Sequence, residues 1–366
     1  MTAVPAPDPG PDAGAVWHYG DPLGEQRAAE TAAVLVDRSH RAVLTLTGAD
    51  RRSWLHSISS QHVAELPDGA STQNLSLDGK GHVEDHWIQT ELGEVGYLDT
   101  EPWRGEPLLD YLRKMVFWSE VRPEPAELAV LSLLGPGLAE PTVLDALGLD
   151  GLPDDRAMPL DGGGLLRGVP GTAAGPPELD LLVPRADAAS WRHRLTQAGV
   201  RPAGVWAFEA HRVAALRPRL GVDTDERTIP HEVGWIGGPG VGAVHLDKGC
   251  YRGQETVARV HNLGKPPRML VLLHLDGSVD RPATGDPVLA GAARWAGWAR
   301  WSITPSWARW RWRCSTRAAR RDPADHRAGR RGRRGDRRRF APGGRCGRRR
   351  TGRRRAAAGR NPMSGL

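Results

Sequence analysis

Residues 248–255 have the sequence Lys-Gly-Cys-Tyr-Arg-Gly-Gln-Glu, which places a thiol, a phenol, an amide, a carboxylate and two cations beside two glycines. The residues before it, 241–246, alternate apolar and small side chains and predict a short strand. The residues after it predict a helix that ends at Gly264, since glycine is common just beyond a helix and two prolines follow. The 248–255 motif is therefore predicted to be a strand-to-helix turn that Gly253 opens toward the helix, with free backbone N–H groups for an anion.

Cys250 is the candidate reactive group of this motif. Lys248 and Arg252 lie within two residues of it and a helix N-terminus follows, and each of these features favours the thiolate over the thiol. The alternative is a small cysteine that packs beneath the turn, and the sequence leaves both open. Gly249 and Gly253 likewise either let the backbone approach a ligand closely or only shape the turn.

The charge of the chain is unevenly distributed. The formal net charge is +7, but residues 291–366 contain 24 arginines and 3 aspartates, which leaves 26 basic and 40 acidic side chains in the other 290 residues. The body of the protein is therefore acidic. The basic character that is typical of nucleic-acid binding belongs to the C-terminal tail.

The tail, residues 294–366, is rich in Arg, Gly, Ala and Trp and has almost no larger aliphatic side chains. Such a composition buries too little apolar area to offset the conformational entropy lost on ordering. We expect the tail to be disordered or to result from a frameshift in a GC-rich gene, because GC-rich codons encode these residues out of frame. The alternative is an arm that binds RNA or DNA, so a nucleic-acid partner is expected only if the tail is genuine.

The body of the chain contains a single cysteine, Cys250, so neither a disulfide framework nor a metal site is predicted. No apolar run reaches the roughly 18 residues that a membrane span needs. Residues 1–20 are predicted to be a disordered leader, because they lack the basic and hydrophobic segments of a signal peptide. We therefore expect a cytoplasmic protein without a membrane partner.

Two segments of the body share one order of elements. In residues 95–116 and again in residues 178–197, a strand, a polar turn and an amphipathic helix follow one another. The fold class is therefore α+β, with a first domain over residues 21–125 and a second over residues 126–265 that ends in the 248–255 motif. An apolar strand then begins a β domain at residues 266–293, which is predicted to be incomplete.

Two acidic segments outside the motif are candidate site residues. Glu84-Asp85-His86 lies on a strand of a predicted hairpin, and at most two of these side chains can share a site because neighbours on a strand point to opposite faces. In the cluster at residues 223–232, a carboxylate such as that of Glu232 can accept hydrogen bonds from a heterocycle. The spacing of this cluster fits neither zinc nor calcium, and a solvated loop is the alternative.

The 248–255 motif resembles the signature of the folate-binding YgfZ proteins, a branch of the glycine-cleavage T-protein (aminomethyltransferase) superfamily. All eight positions match together, and the resemblance extends over about residues 30–290. Further segments that resemble the family are residues 46–51, 74–83, 212–221, 229–232 and 256–259. The resemblance implies two ferredoxin-like halves around a central folate cavity, followed by a C-terminal β-barrel that is incomplete in this chain.

The resemblance also implies a function. YgfZ-type proteins bind tetrahydrofolate or a related folate and support the assembly or repair of iron–sulfur enzymes, including enzymes that modify tRNA. The implied partners are those enzymes and the cluster-assembly proteins. The implied folate-binding residues are Lys248, Gly249, Tyr251, Arg252, Gly253, Gln254, Glu255 and Glu232, and the implied reactive groups are Cys250 and Asp85.

The alternative function is folate-dependent transfer of an aminomethyl or other one-carbon group. In the T-proteins an acidic pair on the first hairpin contributes to folate chemistry, and Asp85 matches that pair here. The chain has Ala214 and Ala215 where the T-proteins have a helical glutamate, which argues against aminomethyl transfer. We therefore expect an accessory folate-binding protein rather than an aminomethyltransferase.

Overall fold

The computed structural model describes residues 2–154, 156–171, 176–275, 287–290, 293–302 and 310–317. The α-helices in these residues are α1 (Pro22–Thr31), α2 (Arg51–Ile58), α3 (Gly105–Lys114), α4 (Pro141–Leu147), α5 (Ala188–Gln197), α6 (Val205–Ala214) and α7 (Gln254–Leu263). The strands are β1 (Val4–Pro5), β2 (Val16–His18), β3 (Val34–Asp37), β4 (Ala42–Thr47), β5 (Ser71–Leu77), β6 (Val83–Leu92), β7 (Val95–Thr100), β8 (Arg122–Pro125), β9 (Leu128–Leu134), β10 (Met158–Pro159), β11 (Leu165–Gly168), β12 (Glu178–Pro184), β13 (Arg201–Ala203), β14 (Arg268–Leu275), β15 (Pro287–Ala290), β16 (Ala293–Ser302) and β17 (Trp310–Arg317).

The first half is built on an antiparallel sheet with the strand order β5-β6-β7-β4-β8. Its succession β4-α2-β6-β7-α3-β8 is a ferredoxin-like unit to which β5 adds an edge strand. Helices α2 and α3 cover one face, where Trp54, Trp87, Leu108 and Leu112 share one buried core. Leu108 and Leu112 are four residues apart and so lie on one side of α3, which is the apolar spacing that predicts this helix.

The second half repeats the ferredoxin-like succession with one inserted strand. Its sheet has the order β10-β11-β12-β9-β3-β13, and β3 lies between β9 and β13. Because β3 precedes the first half in sequence, the predicted division at residues 125 and 126 is wrong for α1 and β3. The physical reason is that Val34 and Val36 face one core and Leu35 the other, so that β3 needs cover on both faces.

The N-terminal residues are ordered, which corrects the prediction of a disordered leader over residues 1–20. Strands β1 and β2 pair, and Ala6 and Ala15 are buried. Asp12 is also buried and accepts a hydrogen bond from Nη1 of Arg219 at 2.8 Å. Composition did not predict this order, because the leader is held by contacts with a residue 207 positions away rather than by its own apolar content.

The segment before the 248–255 motif is not the predicted strand. Residues 241–246 form turns and isolated bridges, and the carbonyl oxygen of Trp235 accepts from the N–H groups of both Ala243 and Val244. Glycines at positions 237, 238, 240 and 242 favour this irregular path. The predicted helix is confirmed as α7, with Gly253 at its N-terminal end and Gly264 at its C-terminal end.

The C-terminal strands form an open antiparallel sheet in the order β14-β17-β16-β15, and the described residues do not close it into a barrel. Strands β16 and β17 lie in or next to the tail that composition assigns to disorder. The Trp-Arg-Trp-Arg sequence of residues 310–313 alternates apolar and charged side chains with period two, which is the pattern of a strand. Composition alone did not predict this strand, because it ignores the order of the residues. The predicted frameshift stays a prediction, and residues 318–366 lie outside the described residues.

Buried ion pairs join the two halves. Asp99 on β7 is paired with Arg41 at 2.7 Å and with Arg167 on β11 of the other sheet. Nη2 of Arg167 also lies 3.0 Å from Asp180 on β12. Burial raises the pKa of Asp99, but the charges of Arg167 and Arg41 outweigh it and lower the pKa to about 2. The junction therefore depends on a few cations that each serve more than one carboxylate.

Candidate functional site

The 248–255 motif is attached to the first half through Lys248. This side chain is buried, and its ammonium group donates to the carbonyl oxygens of His56 and Ser59 at the end of α2. The last carbonyl groups of a helix have no partner within the helix, so Lys248 acts as a cap for α2. Burial lowers the pKa of Lys248 to about 8, and its nitrogen lies 5.0 Å from the ring centroid of Tyr251.

Gly253 forms the second attachment, against the turn of the β5–β6 hairpin. Its φ of +83° lies in the left-handed region, and a Cβ at this position would lie 2.6 Å from the carbonyl oxygen of Asp78 and 2.9 Å from Cα of Gly81. Only glycine permits this approach of two backbone segments. Gly249 differs, because a Cβ there would meet no atom within 4 Å among the described residues.

Tyr251 and Gln254 support the motif from inside. Tyr251 is buried in an apolar cluster with Leu75, Trp235 and Val257, and burial raises its pKa to about 12. Nε2 of Gln254 donates to the carbonyl oxygen of Lys248 at 3.4 Å, which links the two ends of the motif. The structure thus gives both side chains contacts within the protein.

Arg252, Cys250 and Glu255 are exposed on the outer side of the motif. Nη1 of Arg252 donates to Oε2 of Glu84 on β6 at 3.0 Å. The two cations predicted to activate Cys250 therefore bind elsewhere, Lys248 to the end of α2 and Arg252 to Glu84. The thiol is free and accessible from solvent.

A cavity of about 700 Å³ opens between the β5–β6 hairpin, the beginning of α3 and the loop at residues 220–226. None of the described residues that line it belongs to the 248–255 motif, which is linked to the wall through Glu84, the partner of Arg252, and Asp78, the neighbour of Gly253. Folate binding by the motif residues stays a prediction. Small-molecule sites typically have volumes of roughly 300–1,000 Å³. The walls combine carboxylates with aromatic rings and one arginine. These polar and aromatic lining residues include Glu84, Asp85, Asp225, Glu226, Trp103, Tyr111 and Arg104.

Asp85 is held in one orientation at the cavity wall. Its Oδ1 accepts from Nε and contacts Nη2 of Arg104, each at 2.7 Å, and its Oδ2 accepts from Oγ of Ser76 at 2.8 Å. A carboxylate oxygen can accept more than one hydrogen bond, so Asp85 can still accept from a ligand. Arg104 and Ser76 therefore fix the orientation of the Asp85 carboxyl group, which still lines the cavity.

His86 lies on the opposite face of β6 from Asp85, as alternation along a strand requires. Its ring stacks on Trp235 with the centroids 4.8 Å apart. Burial and the charge of Arg41 lower the pKa of His86 to about 4, so the ring is neutral near pH 7. Asp85 and His86 therefore do not act as a pair.

Glu232 is not among the residues that line the 700 Å³ cavity. Its two carboxylate oxygens accept from Arg268 at 2.7–3.0 Å, which ties residues 230–232 to the first residue of β14. Asp225 shares this arginine, and a hydrogen bond from Arg268 lowers the pKa of Asp225 to about 2. Of the acidic cluster, Asp225 and Glu226 reach the cavity.

The sequence did not single out Trp103, Arg104 or Tyr111. A tryptophan and an arginine directly before an amphipathic helix are a weak signal of a site. Nothing in the local pattern shows that this helix start faces the β5–β6 hairpin, since that depends on how the sheet is ordered.

Within the described residues, no three His, Cys, Asp or Glu side chains are grouped so that they could hold a metal ion. The helices of that part of the chain are all too short or too polar to cross a membrane. The cytoplasmic location stays a prediction.

No family model matches this chain. The aminomethyltransferase of Chromobacterium violaceum is 28% identical over 236 residues, which are 59% of this chain and 61% of the relative. The aminomethyltransferase of Streptomyces avermitilis is 28% identical over 295 residues, 75% of each chain. The chain thus spans about three fifths of the length of the first of these curated relatives.

A crystal structure of the glycine cleavage system aminomethyltransferase T from Bartonella henselae matches with a TM-score of 0.72 and 21% sequence identity, over 87% of both chains. The chain has the T-protein fold. The T-protein fold confirms the predicted α+β class with two ferredoxin-like halves. The comparisons support the wider T-protein group named by the resemblance, while the YgfZ branch stays a prediction.

Proposed function

We propose that this protein binds tetrahydrofolate, or a closely related reduced folate, in the 700 Å³ cavity and transfers a one-carbon group to it. The observation on which this rests is the cavity, whose walls combine carboxylates with aromatic rings and include Glu84, the partner of Arg252 in the 248–255 motif. Similarity to aminomethyltransferases at 28% identity supports a folate-dependent transferase over the accessory role that the motif alone favours.

The chemistry of the walls suits a pterin. A reduced pterin has a flat ring system and several N–H donors, which need acceptors in a buried site. Asp85, Asp225 and Glu226 provide carboxylate acceptors, and Trp103 and Tyr111 provide ring faces against which the heterocycle can pack. The acidic glutamyl end of a folate is then expected toward solvent, away from these carboxylates.

In the proposed reaction, an aminomethyl group carried on a thiol reacts with tetrahydrofolate to give methylenetetrahydrofolate, ammonia and the free thiol. Proton transfer at the folate nitrogens requires a positioned acid or base. Asp85 is the candidate, because it lines the cavity and Arg104 and Ser76 fix its orientation.

Asp85→Asn should lower the rate of methylenetetrahydrofolate formation by about 100-fold or more, the usual contribution of a positioned acid or base. The assay supplies the full chain with tetrahydrofolate and an aminomethyl-bearing dihydrolipoyl substrate. Asp110→Asn is the matched control, since Asp110 is an exposed carboxylate on α3. Wild-type protein that binds tetrahydrofolate but gives no turnover would rule out the transferase reaction.

We propose separately that Cys250 serves the iron–sulfur role implied by the motif. Its thiol is exposed on the 248–255 motif, so an iron–sulfur enzyme or a cluster-assembly protein can reach it. In a strain with impaired iron–sulfur enzymes, including those that modify tRNA, the wild-type gene should restore activity and Cys250→Ala should not. Equal rescue by the two genes would show that the thiol is dispensable.

A further inference from the structure

A second and smaller chamber lies on the opposite side of β6 from Asp85, where the two halves meet. Its volume is about 70 Å³, compared with roughly 30 Å³ for one water molecule in the liquid. Its wall contains the arginines Arg38, Arg41, Arg212, Arg217 and Arg219. The other polar side chains of the wall are Gln73, His86 and Glu101.

Four of these arginines, all except Arg38, are paired with carboxylates of the protein. Oε1 of Glu101 accepts from Arg41 at 2.9 Å, and Oε2 of Glu101 accepts from Arg219 at 2.8 Å. Each oxygen of Glu101 is therefore already paired with a cation. Arg212 is paired in the same way with two buried carboxylates.

The positive charge of Arg38 is compensated less directly than the charges of the other arginines in the wall. Its Nη1 donates to Oγ of Ser132 at 3.0 Å, whereas Oδ1 of Asp180 is 3.9 Å away and itself accepts from Ser132 at 2.6 Å. The guanidinium group stacks on the Phe208 ring, 3.8 Å from the centroid. Burial and the charge of Arg41 lower the pKa of Arg38 to about 10, although Asp180 acts in the other direction. The cation is held without a carboxylate in direct hydrogen-bond contact among the described residues.

Arg217 and Gln73 add donors to the same chamber. Arg217 is paired with Glu178, since its Nη1 donates to Oε1 of Glu178 at 3.0 Å and its Nη2 lies 2.8 Å from Oε2. Its buried Nε has no hydrogen-bond partner among the described residues and is the donor that Arg217 can offer a ligand. Oε1 of Gln73 is bonded to Nε2 of His86 at 3.0 Å. Because the amide oxygen of Gln73 can only accept, Nε2 of His86 donates in this bond, and the amide nitrogen of Gln73 remains as a donor for a ligand.

We propose that this chamber binds a small oxyanion, a carboxylate or a phosphate, at Arg38, the Nε of Arg217 and Gln73. The chamber offers more donors than acceptors, and the oxygens of an oxyanion match the planar fork of a guanidinium group. Its volume suits an anion of a few non-hydrogen atoms and excludes a pterin. The inference goes beyond the proposed function, because the folate cavity lies on the other face of β6.

The test is a titration of the full chain with sodium formate and, separately, with inorganic phosphate. Ionic strength is held constant with chloride, so that screening of surface charges does not change. We expect a saturable rise in Tm with at least one of the two probes, and the probe that produces it identifies the class of anion. The absence of a saturable rise with either probe overturns the proposal.

Two variants locate the effect. Arg38→Gln should weaken the apparent affinity for the active probe by tenfold or more, whereas Arg185→Gln, at an arginine that is 43% exposed, should behave like wild type. Gln73→Glu places a carboxylate where the anion is proposed to lie, so it should abolish the response even if Arg38→Gln does not fold. Wild-type affinity in Gln73→Glu would overturn the proposal.

Discussion

Replacement of Arg167 by methionine should lower the free energy of unfolding by about 3–5 kcal/mol at pH 7, as is typical when one member of a buried ion pair is removed. Arg167 is fully buried and contacts Asp99 in one sheet and Asp180 in the other. Methionine fills much of the space but leaves these carboxylates without their shared cation. Urea unfolding followed by tryptophan fluorescence measures the loss, and the exposed Arg185→Met should change stability by no more than about 0.5 kcal/mol.

The loss in Arg167→Met should also depend on pH. In the wild type the pKa of Asp99 is about 2, below its ordinary value of 3.8, so its ionised form contributes stability above about pH 4 that is lost as the pH falls toward 2. Without Arg167 the pKa of Asp99 rises and this contribution shrinks. The two proteins should therefore converge in stability below pH 4. A difference that stays constant from pH 7 to pH 3 would contradict this account of the junction.

Replacement of Gly253 by alanine should lower the free energy of unfolding by about 2–5 kcal/mol. One part of this loss is the cost of a left-handed backbone for a residue other than glycine, and the other part is overpacking by the added Cβ. The added Cβ would lie 2.6 Å from the carbonyl oxygen of Asp78, and neither backbone segment can move without separating the 248–255 motif from the hairpin. Gly264 is the matched control, because it caps the other end of α7 with φ of +66° and has no described atom within 4 Å of its Cβ position.

Gly264→Ala should therefore lower the free energy of unfolding by about 1–2 kcal/mol, which is the cost of the left-handed backbone alone. Thermal or urea unfolding of the two variants separates the crowded glycine from the open one. If the two substitutions cost the same, Gly253 is required for its backbone angle alone and its contact with Asp78 contributes nothing.

Elements set by local periodicity could be predicted from the sequence. The strand, turn and helix predicted over residues 95–116 and again over residues 178–197 are found as β7 and α3 and as β12 and α5. Helix α3 follows from the spacing of Leu108 and Leu112. The insertion of β3 between β9 and β13 could not be predicted, because it depends on pairing with residues about 100 and about 170 positions later in the chain. The prediction of a disordered leader failed for the same reason, because Asp12 in the leader is bound by Arg219, which lies far along the chain.

The candidate site was predictable only in part. The 248–255 motif stands out because its unusual side chains are adjacent in sequence, but the structure uses Lys248 to cap α2 and Tyr251 to fill an apolar cluster. The sequence could not identify the carbonyl groups of His56 and Ser59 as the partners of Lys248, because every residue has a backbone carbonyl group. The 700 Å³ cavity draws Trp103 and Glu226 from distant segments, so its walls appear only once the sheet is ordered.

The most direct test of the proposed function is the Tm of the full chain as a function of tetrahydrofolate concentration, under reducing conditions. A ligand present at 100 times its Kd should stabilise the folded state by about 2.7 kcal/mol. Trp103→Ala removes an aromatic wall of the cavity and should weaken binding about tenfold, a loss of the size expected for an aromatic stacking partner. Trp118→Ala, at a fully exposed tryptophan that does not line the cavity, should bind like wild type. We expect a saturable rise in Tm that depends on Trp103. An unchanged Tm at saturating tetrahydrofolate would show that the cavity does not bind this folate.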